Sequence, residues 1–404
     1  MYRARRSLTA VSVSALALVV LGACSSEDDG KKDGDKKGGA AQVAVKAVAG
    51  DGGDECQIDT DSVAAGPVTF TVKNESATGV NEVELLSGAK ILGEKENIVA
   101  GLPEVTFTVT LGGGDYEIYC PGATEEKIPF KVTGAAAPSP TGDAAKLLAD
   151  GAADYATYVT TQTDSMVVAV EALQKAVDSG DVEAAKKAYA EARPFYEKVE
   201  SDIEGFLLPG ADPTDNAGNL DYLIDMRSSS LDPKVGWSGF HAIERDLFQR
   251  KAITEKTKKY ATDLVANVNS LVEVAGELTF RPEDLANGAA GLLEEVQSGK
   301  ITGEEEEFSH LDLLDFANNV EGAQQAFEAL RPGLEKVDAD RVATITKRFD
   351  SVTTLLEDYK DPKALGGYKA YTPALQASDA PKLSKSVQSL ADALSGLAEK
   401  VATA

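Results

Sequence analysis

Residues 236–249 read GWSGFHAIERDLFQ and contain one of the two histidines and the single tryptophan of the 404-residue chain. If this stretch is helical, His241 and Glu244 stand three residues apart and lie one above the other on the same face. Phe240, Ile243 and Leu247 form an apolar stripe that would anchor the helix in a bundle core. The stretch therefore predicts a helical bundle that presents an imidazole and a carboxylate together. Such a pair can hold a metal ion, but a surface ion pair or a hydrogen-bonded core histidine has the same pattern.

The chain after residue 143 has a helical period almost throughout. The spacing of apolar residues predicts seven helices, over residues 144–179, 182–206, 236–279, 283–298, 304–330, 336–360 and 381–403. Asp181 is placed to cap the second of them. Residues 209–232, which contain several prolines and glycines, predict a long irregular loop of a kind that often carries function. Seven long helices cannot surround one four-helix core, so the helical domain at 144–404 is predicted to be two packed four-helix bundles.

Residues 42–133 have a different pattern. Turn residues such as GGGD at 112–115 separate short β-branched or alternating runs, which lie at 43–48, 68–72, 81–86, 105–109, 116–120 and 128–132. This spacing predicts a small β-sandwich. Residues 134–143, which include two prolines, predict a linker. The expected fold is a multidomain chain in which a β-sandwich precedes an all-α domain.

The first 23 residues have the regions of a secretion signal, with three arginines, an apolar run and then small residues. Leu-Gly-Ala-Cys at 21–24 resembles the lipobox of bacterial lipoproteins. That resemblance implies cleavage before Cys24 and a lipid on its thiol, and an ordinary signal peptide that ends nearby is the alternative. Residues 24–41 contain nothing that can form a core and are predicted to be a flexible tether. We therefore expect an extracytoplasmic protein, in the periplasm or at the cell surface, that is anchored to the bacterial cell membrane by its lipid.

The charge balance argues against binding to nucleic acid. The formal net charge is −26, so polyanions such as nucleic acids and anionic lipid surfaces should repel the chain. Cations suit such a protein better, although solubility alone would favour the same balance. No grouping typical of nucleophilic catalysis or of nucleotide binding is convincing. The sequence thus predicts a binding protein and not an enzyme.

Two further stretches concentrate carboxylates at helical spacing. Glu197 and Glu200 share one face, and Asp312 and Asp315 share another beside the second histidine. The four glutamates at 304–307 are explained most simply as the acidic start of a helix, where they complement the macrodipole. Because both histidines stand within carboxylate-rich helices, the three stretches together predict a ligand set for iron, manganese or zinc.

These stretches also carry a family resemblance. RPFYEKVE at 193–200, GWSGFHAIERDLF at 236–248 and ITGEEEEFSHLDLLDFANNVEGAQ at 301–324 resemble the helical domain of the EfeO-type iron-uptake proteins in the imelysin-like family. The resemblance implies a pair of four-helix bundles and a metal-binding motif formed by His241 and Glu244. It places acidic residues of the other two stretches in the same cleft, by position Glu197, Glu200, Asp312 and Asp315. It also implies two partners, an EfeU-type iron permease and an EfeB-type haem peroxidase.

The same resemblance extends to the β-domain, which is similar to the cupredoxin-like domain of the longer proteins of this family. It implies a second site for copper or iron, formed by cysteines and acidic residues, here Cys56, Cys120, Glu82, Glu84, Glu94 and Glu96. The two cysteines can instead form a disulfide, as expected in an exported protein. A blue-copper site needs histidines and usually a methionine, and residues 42–133 contain neither.

The leading functional hypothesis is a lipid-anchored protein that captures iron outside the membrane and passes it to a permease. A copper-handling or metal-storage protein is the first alternative, and the choice among ferrous iron, ferric iron, copper and zinc stays open. An imelysin-type metallopeptidase is the second alternative. It is disfavoured because a zinc peptidase motif holds two histidines, whereas the two histidines of this chain lie far apart.

Overall fold

The computed structural model describes residues 39–88, 90–135, 140–203 and 205–404. The expected signal peptide, Cys24 and most of the expected tether lie outside these residues. A β-sheet region precedes a helical region, so the predicted multidomain layout is confirmed at this level. Among the described residues, no helix combines the length and the apolar character that crossing a membrane requires.

The β-region consists of two facing sheets. Its described strands are β1 Ala41–Gly50, β2 Gly53–Ile58, β3 Ser62–Ala64, β4 Gly66–Asn74, β5 Val83–Ser87, β6 Lys90–Lys95, β7 Val105–Leu111, β8 Gly114–Tyr119 and β9 Lys127–Thr133. One sheet has the order β2-β1-β4-β7 and the other β3-β9-β8-β5-β6. Most neighbouring strands are antiparallel, whereas β1 pairs with β4, and β3 with β9, in parallel.

Aromatic rings fill the space between the sheets. Phe70 of β4 stacks on Phe107 of β7 with ring centroids 5.0 Å apart, and it meets Phe130 of β9 edge to face at 5.5 Å. All three side chains are buried, as the alternating runs predict. Strands β2, β3 and β6 were not predicted. Strand β2 has the sequence Gly-Asp-Glu-Cys-Gln-Ile and lies at the edge of its sheet, where neither of its faces is fully buried. It therefore lacks the apolar alternation that predicts a strand.

The helical region contains long helices joined by shorter ones. The described α-helices are α1 Asp143–Ser179, α2 Val182–Glu197, α3 Glu200–Ile203, α4 Leu220–Asp225, α5 Gly239–Glu244, α6 Glu255–Ala275, α7 Pro282–Glu295, α8 Asp312–Val337, α9 Ala339–Glu357, α10 Pro373–Leu394 and α11 Leu397–Ala402. Helix α1 packs against α2, α6 and α8, whereas α7, α8, α9 and α10 form a second packed group. Helix α8 is therefore common to both groups. Asp181 caps α2 as predicted, because its side chain accepts hydrogen bonds from the backbone at 183 and 184.

Two predicted helices are wrong at the positions that matter for the site. The helix expected over 236–279 is broken: α5 passes into a π-helical turn at Arg245–Gln249, and α6 begins only at Glu255. Lys251 lies in the left-handed region with φ 53°, and Thr254 caps α6 through the backbone of Thr257. The helix expected from residue 304 begins instead at Asp312, after a series of turns. The glutamates at 304–307 therefore do not form a helix start, and that explanation of them is wrong.

The two regions meet along α7. Asn287 donates to the backbone carbonyl of Thr108 at 2.7 Å and accepts from its N–H at 3.2 Å, so it continues the hydrogen bonding of strand β7. The buried Lys95 of β6 forms an ion pair with Glu294 at 2.7 Å. These polar contacts fix the β-domain beside the helix that leads into the second π-helical turn, Val296–Lys300.

A partly buried acid away from the candidate site gives a test of the helical packing. The Tyr155 hydroxyl of α1 donates to Asp202 of α3 at 2.6 Å, and burial raises the pKa of Asp202 to about 7 although this hydrogen bond opposes the rise. The unfolded carboxyl has a pKa of about 4. Folding therefore favours the protonated acid, and its contribution to stability is lost as the pH rises from about 4 through 7. We expect Asp202→Asn to reduce this loss of stability.

The measurement is the free energy of urea unfolding at a series of pH values for the wild type and Asp202→Asn. Asp150→Asn, which changes an exposed aspartate, is the control for the change in charge. Parallel curves for the wild type and Asp202→Asn over this range would contradict the assignment.

Candidate metal centre

A glycine brings the histidine helix against α4. Gly239, the first residue of α5, has φ 67°, and a Cβ built on it would lie 1.9 Å from the carbonyl oxygen of Ile224. Only glycine permits this approach. Since Asp225 follows Ile224, the close contact places the last carboxylate of α4 beside His241 in the first turn of α5.

Gly239→Ala is therefore expected to destabilise the protein by at least about 2 kcal/mol and to weaken any ligand binding at His241. Gly236→Ala is the matched control, because Gly236 also has a positive φ, 84°, but has open space around its Cβ position. Urea unfolding of both variants tests the prediction. Equal losses in the two variants would mean that the contact with Ile224 contributes nothing.

His241 is buried, and one of its ring nitrogens makes only long ion-pair contacts with the described residues. Its Nδ1 lies 3.0 Å from Oε2 of Glu244. Its Nε2 has no hydrogen-bond partner among the described residues, yet it lies 3.5 Å from Oδ1 of Asp225 and 3.5 Å from Oε1 of Glu305. We call His241, Asp225 and Glu305 the His241 site. A buried nitrogen without a hydrogen bond needs an explanation, and a cation bound between it and the two carboxylates would provide one.

Glu244 orients the imidazole. Its Oε1 accepts hydrogen bonds from the backbone N–H groups of Phe308 and Ser309, at 2.8 and 2.7 Å, and its Oε2 contacts His241. Both carboxylate oxygens are therefore engaged. A carboxylate on the far nitrogen of a ligating histidine fixes the tautomer and the ring orientation. The predicted pair lies on one face as expected. Nε2 of His241 faces the His241 site, and the same imidazole also has ligand atoms of Glu244 and Glu306 within 4.8 Å, so Glu244 can be a ligand as well.

The turns after residue 300 supply the third member of the His241 site. Within the four consecutive glutamates, Glu305 and Glu306 are buried, whereas Glu307 is exposed. Gly303, with φ 70°, and His310, with φ 61°, bend the chain on either side, so the inner two glutamates point into the cluster. Glu306 accepts a hydrogen bond from the Tyr189 hydroxyl at 2.7 Å.

Basic side chains hold these carboxylates together. Arg193 is fully buried and forms ion pairs with five carboxylates, namely Glu197, Asp225, Glu305, Glu306 and Asp315. Lys300 is also fully buried and lies 3.0 Å from Glu200, 3.3 Å from Glu197, 3.4 Å from Glu305 and 3.8 Å from Glu295. Arg227 contacts Glu295 and Glu305 from the side of the β-domain. Buried charges of this kind persist only when they are paired.

The electrostatics keep the site charged. Burial lowers the pKa of His241, but Asp225, Glu244 and Glu305 raise it well above its usual range. Burial raises the pKa of Glu305, but the neighbouring basic side chains, Lys300 first, hold it well below its usual range. In the absence of a metal ion the imidazole is therefore protonated between ionised carboxylates. A metal ion that binds Nε2 must displace that proton.

The residues around Nε2 fit a hard metal ion. Metal ions bind imidazole nitrogen and carboxylate oxygen at about 2.0–2.2 Å, so two neighbouring ligands of one ion lie about 3 Å apart. The two distances of 3.5 Å from Nε2 come close to this separation. Imidazole together with carboxylates suits iron and zinc. A second group of ligand atoms, from Glu197, Glu200 and Asp225, also lies within 4.8 Å of one another.

Comparisons with known proteins identify the family. The imelysin (peptidase M75) family model matches residues 151–401. Proteins named iron uptake system component EfeO, from Escherichia coli O1:K1 / APEC, Escherichia coli strain K12 and Shigella flexneri, are 35%, 34% and 34% identical over 324 residues, which cover 79% of this chain and 83% of each relative. The chain belongs to the imelysin family. The resemblance to EfeO-type proteins that its sequence indicates is confirmed.

In this imelysin-family chain, the structure brings together some of the predicted site residues. Glu197 and Glu200 lie next to the His241 site, in the group that shares Asp225. Asp312 and Asp315 are buried nearby but belong to none of the ligand groups found among the described residues. Asp312 accepts from the backbone N–H of Glu306 at 3.2 Å, and Asp315 pairs with Arg193. These two aspartates therefore hold other members of the cluster in place.

Sequence reasoning missed Asp225, Glu305 and Glu306 as site residues, and also missed Arg193 and Lys300. A signal existed for Asp225, since it lies in the segment 209–232 that the prolines and glycines marked as a functional loop. No periodic signal existed for the glutamates, because the turns that direct them inward interrupt the helical pattern. Arg193 is the first residue of the stretch 193–200 that carries the family resemblance, but it was assigned no role there, and Lys300 lies outside the three stretches.

The second predicted site in this imelysin-family chain is composed of carboxylates alone. Cys56 and Cys120 form a disulfide, so no thiolate is free there. Carboxylate oxygens of Glu82, Glu84 and Glu94 lie within 4.8 Å of one another. Burial, together with repulsion from Glu82, raises the pKa of Glu84 to about 10. Glu96 lies outside this group and faces Arg227 at 3.7 Å.

Proposed function

We propose that this protein captures iron outside the cytoplasmic membrane, in a centre formed by His241, Asp225 and Glu305, and delivers it to an EfeU-type permease. The observation that carries the proposal is the position of Nε2 of His241. This atom makes no hydrogen bond among the described residues, and it lies 3.5 Å from two carboxylate oxygens inside a buried cluster. Relatives that are 35% identical over most of their length bear the name of an iron uptake system component.

The chemistry of the site favours iron over softer ions. Hard carboxylate oxygens with one imidazole suit ferric and ferrous ions, whereas copper(I) selects thiolates and thioethers. The two cysteines of the β-domain are joined to each other, which argues against a copper-handling function through them. A zinc peptidase of the common kind uses two histidines with a separate catalytic glutamate. In this chain Glu244 accepts hydrogen bonds from the backbone N–H groups of residues 308 and 309, which argues against its use as a catalytic base.

We further propose a second, auxiliary position for a hard cation at Glu82, Glu84 and Glu94. Glu84 is buried and its Oε2 has no hydrogen-bond partner within the described part of the chain. Three carboxyl groups that crowd together in this way are stabilised either by protonation or by a cation. This position, rather than the disulfide, takes the place of the expected Cys/Glu metal site.

The remaining parts of the proposal concern architecture and location. The β-domain is cupredoxin-like, and α8 belongs to both of two four-helix bundles. A lipid on Cys24 anchors the mature chain, and an EfeB-type haem peroxidase is a second partner. The net charge of −26 suits a cation carrier that avoids nucleic acids.

Titration of the mature protein with ferric citrate, ferrous, cupric and zinc ions tests the function. Ferrous titrations are carried out without oxygen. Tight binding of ferric iron, with weaker binding of copper and zinc, is the expected result, whereas among the divalent ions cupric ion should bind more tightly than ferrous ion. Binding of copper without iron, with the copper binding lost in Cys56→Ser/Cys120→Ser, would favour the copper-handling alternative and reject the proposal.

A further inference from the structure

Lys300 is a buried cation that none of the proposed ligand roles uses. It ends the π-helical turn Val296–Lys300, and its side chain is fully buried. Its ammonium group lies within 4 Å of four carboxylates of the cluster. π-helical turns are rare and occur frequently at functional sites. A lysine at this position needs an explanation, because burying an ammonium group is costly even when it is paired.

The contacts of Lys300 overlap with those of the His241 site. One carboxylate, Glu305, serves both: its Oε1 lies 3.5 Å from Nε2 of His241 and its Oε2 lies 3.4 Å from Nζ of Lys300. A cation bound between His241 and Glu305 therefore shares this carboxylate with the ammonium group. The charge of Lys300 also acts on that cation through a buried region of low dielectric constant, where like charges repel strongly.

Lys300 has other carboxylate partners that remain if a metal ion binds Glu305. Its Nζ lies 3.0 Å from Glu200 and 3.3 Å from Glu197. Neither residue belongs to the His241 site. The ammonium group can therefore give up Glu305 without becoming an unpaired buried charge. The backbone supports this arrangement, because a Cβ built on Gly299 would lie 2.7 Å from Oε2 of Glu305.

We propose that Lys300 is a built-in competitor for the metal cargo: it neutralises Glu305 and its neighbours when the site is free, and it limits affinity so that the captured ion can be released. The inference rests on the proposed iron-binding function, and it names a residue that limits the affinity for the ion. A lysine with a purely structural role would support binding, so its loss would weaken affinity. A competitor has the opposite effect, and this difference in sign is the basis of the test.

The test compares Lys300→Met with the wild type. Affinity for ferrous iron is measured without oxygen by competition with a chromogenic chelator, and the release rate is measured on adding excess chelator. We expect roughly ten-fold tighter binding or more, with slower release, because one buried positive charge near the ion is gone. Lys198→Met is the matched control, since Lys198 follows Glu197 directly but pairs with Glu321 outside the cluster. It should bind iron as the wild type does.

A second variant guards against misfolding. Lys300→Met alone leaves an excess of buried carboxylates, whereas Lys300→Met/Glu200→Gln restores the balance of charge and leaves the His241 site intact. The double variant should also bind iron more tightly than the wild type. In addition, iron should raise the melting temperature of Lys300→Met by more than it raises that of the wild type.

The outcomes separate the two claims. If the wild type binds iron and both Lys300 variants bind it with equal or lower affinity, the inference is wrong and the proposed function stands. If the wild type binds no iron, the proposed function fails first. Tighter binding in Lys198→Met as well would show that any loss of positive charge suffices, and this too would overturn a specific role for Lys300.

Discussion

Arg193→Met should destabilise the protein by about 3–5 kcal/mol, the cost of removing one partner from a buried ion pair. The guanidinium is fully buried and contacts carboxylates from four parts of the chain: α2, α4, the 305–306 turns and α8. Its removal leaves these carboxylates facing one another with one buried counter-charge fewer, and Asp315 and Glu306 lose the arginine that pairs with them. Some of them will take up protons, so the loss should be smaller at low pH.

The measurement is urea unfolding of the variant without metal. Arg331→Met is the matched control, because Arg331 lies on the surface of α8, where it pairs with Glu328 and Glu335. Its loss should cost at most about 1 kcal/mol. Arg193→Lys keeps the charge but loses the planar fork, so it should fall between the two. Wild-type stability in Arg193→Met would mean that the cluster does not depend on this arginine.

His241→Gln should lower the affinity for iron by about 100-fold or more, since removing only an outer-shell partner of a ligating histidine costs about 10–100-fold. By the same reasoning Glu244→Gln should fall within that smaller range, because Glu244 orients the ring and does not face the ion. The expected order of affinities is wild type, then Glu244→Gln, then His241→Gln.

His310→Gln is the matched control for His241→Gln, as it removes the other histidine of the chain. His310 lies in the turn before α8 and belongs to none of the ligand groups found among the described residues. Iron titration of the three variants checks the prediction. Equal losses in His241→Gln and His310→Gln would show that the position of the imidazole is irrelevant and would remove the basis of the site.

The sequence predicted the elements whose periodicity reflects burial on one face. The alternating runs around Phe70, Phe107 and Phe130 became central strands with those rings in the core. Helix α1 has the expected bounds to within a residue. Edge strands such as β2 escaped detection because neither face is buried enough to impose an apolar pattern.

The site was only half predictable for a related reason. His241 was found because histidine is rare in this chain and because it lies on a helix with an apolar face. Glu305 and Asp225 lie where helical periodicity stops, one in a series of turns and the other at the end of the short helix α4. Their positions depend on contacts between distant segments, such as Gly239 against Ile224, which no local pattern records.

The most direct test of the central claim is a crystal structure of the iron-loaded protein, with iron located by its anomalous scattering. We predict a peak within about 2.3 Å of Nε2 of His241 that is also bound by Asp225 and Glu305. Lys300 should then have moved away from Glu305 toward Glu200. A peak only at Glu82, Glu84 and Glu94, with the His241 site unchanged, would contradict the account.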